Sequence, residues 1–263
     1  MYATNYVKAT TIADAASRLG AADDGKLLAG GMTLLPTLKQ RLANPDCLVD
    51  LAGCDLAGIS DDGQSIRIGA MTRHVDVANS PVVQKAIPAV AHLAGHIGDR
   101  QVRNRGTIGG SVANNDPSAC YPSALLALGA TVHTDRRDIA AGDYFTGMFE
   151  TALDEDEVIT AVSFPKPEVA SYVKFPNPAS RYAMVGVFVA KTSSGVAVAV
   201  TGAGQDGVFR HGGLEAALNS SFSAESIDSV AVDDSVLMSD MHASADYRAH
   251  LITQMTKRAV AAC

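Results

Sequence analysis

Leu28-Ala-Gly-Gly-Met-Thr-Leu-Leu35 is the stretch whose reading decides the fold, together with its counterpart Thr107-Ile-Gly-Gly-Ser-Val-Ala-Asn-Asn-Asp116 further along. Each holds two adjacent glycines beside a hydroxyl residue. Bare backbone at a strand-to-loop turn approaches a phosphate or a planar ring more closely than side-chain-bearing backbone can. Read as one site, the two pairs grip a diphosphate from both sides, with Thr107, Ser111 and either Asn114 or Asn115 adding side-chain donors. That combination points to a nucleotide cofactor.

Around the first pair the chain reads as alternating strand and helix. Thr11 to Leu19 carries apolar residues at helical spacing behind a threonine cap, and Lys26-Leu-Leu-Ala reads as a short buried strand. Leu34 to Leu42 is a second helix and Cys47 to Leu51 a second strand, which makes a β-α-β start of about fifty residues. Ser65 to Ala70 alternates as a half-exposed strand, and Val75 to Ala94 reads as largely helical with a break near Pro88. After the second pair come a helix from Pro122 to Leu128, the strand Ala130-Thr-Val-His133, the acidic turn Asp154-Glu-Asp-Glu157 and a strand from Val158 to Phe164. Prolines 165, 167, 176 and 178 mark the best domain boundary. Beyond it, Tyr182 to Thr192 and Gly195 to Thr201 read as an antiparallel pair turning at Ser193-Ser194-Gly195.

The chain has 263 residues, 47% of them hydrophobic and 19% charged, enough for one large or two modest domains with a core that needs no metal or disulfide. No run of eighteen apolar residues occurs, so no membrane span is expected. The first residues lack the basic-then-apolar order of a secretory signal, which makes a cytoplasmic location the expectation. A net charge of −7 disfavours nucleic acid as a partner, despite Arg100, Arg103 and Arg105; these read as ion pairs within the domain or contacts to another subunit. The four cysteines show no zinc or iron–sulfur spacing.

Three motifs compete and fail. Gly202-Ala-Gly-Gln-Asp-Gly207 imitates a dinucleotide fingerprint, but Val208-Phe-Arg-His-Gly-Gly213 prevents the long helix that such a turn must open, so it reads as a hairpin or sheet-end loop. His92 and His96 stand at metal-binding spacing without a third ligand. No G-x-S-x-G elbow supports a hydrolase triad.

The ordered set Leu28–Leu35, Arg67-Ile-Gly-Ala-Met-Thr72, Ile97-Gly-Asp-Arg-Gln-Val-Arg-Asn-Arg-Gly-Thr-Ile-Gly-Gly110, Ala113-Asn-Asn-Asp-Pro117 and Thr201-Gly-Ala-Gly-Gln-Asp-Gly-Val-Phe-Arg210 resembles the FAD-binding medium subunits of molybdenum hydroxylases. That family contains carbon monoxide dehydrogenase and xanthine dehydrogenase, and the resemblance covers nearly the whole chain. It implies an α+β protein with a PCMH or vanillyl-oxidase type FAD-binding domain over 1–165, in subdomains of about 1–55 and 56–165. A C-terminal domain over 166–263, with a small antiparallel sheet and helices, would follow.

By matching position, the resemblance assigns Ala29, Gly30, Gly31, Thr33, Thr107, Gly109 and Gly110 to the FAD diphosphate. Leu28, Met32, Leu34 and Leu35 line the same loop, with Ile108, Ser111, Asn115 and Asp116 beside the second. It also assigns Lys174 and Tyr182 to the flavin ring and Ile159 to the adenine end. No catalytic acid, base or metal ligand is assigned. Relatives usually have Asp in place of Cys120 and often His in place of Met32; neither glycine loop carries a ring-facing His, which favours non-covalent FAD.

The implied partners are a large molybdenum-cofactor subunit and a small [2Fe–2S] subunit, assembled as a dimer of heterotrimers, with electrons leaving to an external acceptor. Two other readings stay open at this level: a stand-alone flavin reductase of the same fold and a scaffold subunit without cofactor. Neither substrate nor acceptor is legible.

Overall fold

The computed structural model describes residues 1–263. Its first layer is a three-stranded parallel sheet of β1 (Asn5–Lys8), β2 (Gly25–Leu28) and β3 (Cys47–Asp50), in the order β1-β3-β2. α1 (Ile12–Gly20) joins β1 to β2, and α2 (Leu34–Lys39) joins β2 to β3. The α1 cap is the expected one: Thr11 Oγ1 accepts the Asp14 amide at 3.0 Å, and Ala15 and Leu19 face the core. α2 stops at Lys39 rather than Leu42, because Arg41 adopts the left-handed conformation with φ 61°. β1 carries no legible period, since three of its four residues are exposed.

A five-stranded antiparallel sheet forms the second layer, in the order β4-β5-β10-β6-β7. Its strands are β4 (Ile59–Asp61), β5 (Ser65–Gly69), β6 (Thr131–Thr134), β7 (Asp138–Ala140) and β10 (Ile159–Pro165). Between β5 and β6 run α3 (His74–Asn79), α4 (Pro81–Ala86), α5 (Pro88–Gly95), α6 (Arg100–Arg105), α7 (Ile108–Asn114) and α8 (Tyr121–Leu128). The stretch expected as one broken helix is thus three helices. Ser80 and Ile87 each precede a proline and are held out of the helical region, at ψ 118° and 71°. α9 (Ala141–Tyr144) and the small hairpin β8 (Phe145–Gly147) and β9 (Glu150–Thr151) lead into β10.

β11 (Val169–Pro176), β12 (Ala183–Thr192), β13 (Gly195–Gly204) and β14 (Gly207–Arg210) make an antiparallel sheet buried on both faces. Val185, Val187, Val189, Val196, Val198 and Val200 point to one side, where α10 (Gly212–Ser220) and α11 (Ala245–Ala261) cover them. Phe188, Ala190, Ala197 and Ala199 point to the other and join the core that contains α5 and α8. The small residues on that side let α8 approach closely, and each valine buried on the opposite side contributes about 1.5–3 kcal/mol. The dinucleotide look-alike is a hairpin turn, with Gly204 paired to Gly207.

Arg248 of α11, 3% exposed, ties this sheet end to the helix by donating to the Met184 and Gly202 carbonyls at 2.7 and 2.6 Å. The Thr201 hydroxyl contacts the Pro117 and Ala119 carbonyls at 2.9 and 2.6 Å, and so holds the segment before α8. No helix is long and apolar enough to cross a membrane.

Candidate cofactor site

A cleft of about 670 Å³ lies where these layers meet, within the range of pockets that enclose small organic ligands. Its walls come from the loop after β2, the start of α7, the segment before α8, the turn before β10, Lys174 of β11 and the turn before β12. The two glycine pairs do meet. A Cβ on Gly30 would fall 2.1 Å from the Arg105 carbonyl oxygen, and one on Gly110 would sit 3.6 Å from the Ala29 Cβ. Glycine at 30 is therefore demanded by one backbone pressing on another.

The two pairs differ in what their amides do. Thr107 Oγ1 caps α7 by accepting the Gly110 amide at 3.2 Å, while Ile108, Gly109 and Ser111 donate to the carbonyls of Thr72, Ala70 and Thr107. Thus the second pair belongs to the first turn of a helix, and not to an open strand-to-loop turn. In the first, the amides of Ala29, Gly30, Gly31, Met32, Thr33 and Leu34 have no acceptor within the chain. Gly31 is left-handed, at φ 68°, and Thr33 is right-handed, so the loop curls between β2 and α2 with its unpaired N–H groups free to meet an anion. Such a cradle fits a diphosphate.

Of the expected residues, Ala29, Gly30, Gly31, Met32, Thr33, Leu34, Thr107, Gly109, Gly110, Ser111, Asp116, Ile159, Lys174 and Tyr182 line the cleft. Four do not. Leu28 and Leu35 pack beneath Gly31, within 3.1 Å of where its Cβ would stand. Ile108 is fully buried in the core. Asn115, left-handed at φ 40°, turns away and donates from Nδ2 to the Gly147 and Glu150 carbonyls at 2.8 and 2.7 Å; Asn114 faces the cleft instead.

Lys174 Nζ donates to the His96 carbonyl at 2.7 Å and stands 3.6 Å from Cys120 Sγ, with no carboxylate partner. Burial raises the Asp116 carboxyl above its usual range, against the opposing pull of the Ser118 amide at 2.8 Å. Residues missed by sequence reasoning include His74, which is 4% exposed, lines the cleft and leaves Nδ1 without a partner. Burial, then the nearby Arg103, holds its pKa at about 4. Only its place beside the Thr72 and Gly106 backbone distinguishes it, and no local motif announces that.

The acidic turn contributes Asp154, Glu155 and Glu157 to the cleft. Glu157 is held at about 2, first by the two-pronged Arg137 guanidinium at 3.0 and 2.8 Å and further by the Asp154 amide and Thr134 hydroxyl.

Other sequence features find structural places. Arg100, Arg103 and Arg105 make no ion pair within the chain; Arg103 donates to the Ile97 and Gly98 carbonyls at 3.0 and 3.3 Å. His92 and His96 stack at 4.1 Å between centroids. Ser163, His133 and Asp138 form a hydrogen-bonded row at 2.8 and 2.6 Å, yet Ser163 lies in a strand paired on both sides, which leaves no free amide pair for an oxyanion.

Fold and cleft together define a carrier of a nucleotide cofactor. Residues 2–167 match the family described as the FAD binding domain in molybdopterin dehydrogenase. The nicotine 6-hydroxylase medium subunit of Paenarthrobacter nicotinovorans is 35% identical, over 98% of this chain and 96% of that protein. The carbon monoxide dehydrogenase medium chain of Hydrogenophaga pseudoflava is 34% identical, over 95% and 93%. The solved carbon monoxide dehydrogenase of Hydrogenophaga pseudoflava, in a form that lacks the Mo-pyranopterin moiety of the molybdenum cofactor, superposes with a TM-score of 0.89 at 32% identity, over 99% of this chain and 97% of that one. The chain belongs to this family, as an FAD-binding medium subunit of a molybdenum hydroxylase.

Proposed function

We propose that this chain holds one FAD non-covalently and relays electrons within a larger oxidoreductase. A large molybdenum-cofactor subunit oxidises the substrate, a small subunit with [2Fe–2S] clusters receives the electrons, and this chain passes them to an external acceptor. Three subunits, doubled into a dimer of heterotrimers, make the assembly. FAD when bound supplies the redox chemistry. The chain's residues bind and orient. The free amides of 29–34 receive the diphosphate, Lys174 sets a positive charge beside the ring, and Tyr182 packs against it, while Ile159 bounds the adenine end.

The observation that carries this reading is the row of unaccepted amides in a cleft of the right size. Support for a domain boundary near residue 165 comes from the family match ending at 167 and from the separate core that α10 and α11 build on the last sheet. Purified protein is expected to carry visible flavin absorbance and to copurify with two other subunits when expressed with its neighbours. A colourless chain that cannot be reconstituted with FAD overturns the reading.

A further inference from the structure

We propose that a second cavity beside the cleft is an oxyanion site, which takes the phosphate or carboxylate group of a small molecule. This cavity, of about 500 Å³, is walled by His92 of α5 and His96 just after it, Arg103 of α6, Lys174 of β11 and Arg181 of the turn before β12. No Asp or Glu contributes to its walls. Arg103, Lys174 and Arg181 also have no carboxylate within ion-pairing distance anywhere in the chain; Arg41, Arg67, Arg100, Arg105 and Arg258 are unpaired too, so what marks these three is that they share one carboxylate-free cavity.

Two of the three cations are fixed in place. Nη1 of Arg103 is held by the Ile97 and Gly98 carbonyls, which leaves Nε and Nη2 without an acceptor in the chain. Lys174 is held by the His96 carbonyl. Asn177, 8% exposed, uses Oδ1 to accept the Ala179 and Ser180 amides, so its amino group is the end left over. Tyr172, 2% exposed, also walls the cavity, with its hydroxyl turned away from it toward Gly186 and Cys120. A concave surface rich in donors and cations and free of carboxylates selects an oxyanion over a cation or an apolar group. Gathering the like charges costs free energy that an anion offsets.

Lys174 and Arg181 line both cavities, so an anion held here stands next to the proposed FAD cleft. The site itself is built without the flavin, and its claim stands apart from the electron-transfer reading. The test is calorimetric titration of the FAD-loaded protein with inorganic phosphate at constant ionic strength, so that the diphosphate loop is already filled. One saturable phosphate per chain is expected, weakened about fivefold or more by Arg181→Gln and by His92→Gln and unchanged by Lys39→Gln, a lysine that walls neither cavity. The proposal is overturned by the absence of saturable heat. Equal affinity in wild type, R181Q and H92Q overturns it too, as does phosphate binding that disappears once FAD is loaded. A chain that takes up no flavin would defeat the electron-transfer reading alone, and the same variants titrated without FAD would still decide this one.

Discussion

The loop 28–35 and the segment 107–116 look alike as strings, yet one leaves its amides open and the other binds them to the protein. Gly109 and Ile108 donate to the turn after β5, and Gly110 to its own cap, whereas residues 29–34 donate to nothing in the chain. The comparison teaches that paired glycines report close approach, and that what approaches is decided elsewhere. For Gly30 it is the Arg105 carbonyl, and for Gly109 it is Ala70. The first loop is then the donor side of the cleft and the second its scaffold.

Substitutions can break that contrast. Gly30→Ala is expected to have the largest effect, because backbone atoms must part by more than an ångström; about 3 kcal/mol is lost, read as a fall in thermal midpoint of roughly 6–12 °C, with FAD binding abolished. An unchanged midpoint would show that the two loops do not press together.

Acid stability tells apart two groups of the cleft wall, one beside the second segment and one in the acidic turn. His74 has a folded pKa of about 4, below its unfolded 6.5, so the unfolded chain binds the proton first and stability falls as pH drops from about 6.5 to 4. Glu157, at about 2 against 4.5, stabilises fully above about 4.5 and loses that contribution as pH falls toward 2, on the order of 2 kcal/mol. His74→Asn is therefore expected to flatten the upper window and Glu157→Gln the lower, in urea midpoints measured against pH. A slope unmoved by either change contradicts the assignment.

Asn115 and Asn114 sharpen the comparison side by side. Asn115→Ala loses two hydrogen bonds and a favoured left-handed residue, for about 2 kcal/mol of stability, and leaves the FAD affinity of the folded protein unchanged. Asn114→Ala is expected to leave stability unchanged and weaken FAD binding severalfold. Gly31→Ala is expected to cost about 1–2 kcal/mol of stability from the left-handed backbone, with FAD bound about tenfold more weakly in equilibrium titration.

Much of this was legible. The Thr11 cap, the strand Ser65–Gly69, the turn after Thr192 and the decoy at Gly202 follow from local chemistry that the structure repeats. β1 was not, since an exposed edge strand has no buried face to impose a period. α6 was hidden because its six residues carry three arginines and only Val102 as an apolar anchor; its Asp99 cap makes sense only once the helix exists. At the site, the lining role of the first loop could be read from its residues. His74 could not, because burial, an orphaned ring nitrogen and a neighbouring guanidinium are all consequences of long-range packing. Asn114 and Asn115 needed the left-handed turn at 115 to be told apart.

The central claim is that the open amides of 29–34 receive the FAD diphosphate. Backbone amide resonances recorded on the isotope-labelled chain during FAD titration test it most directly. The largest shifts should fall on Gly30 to Thr33, with Ile108 and Gly109 nearly still; FAD binding that moves Ile108 and Gly109 and leaves 30–33 in place would contradict it.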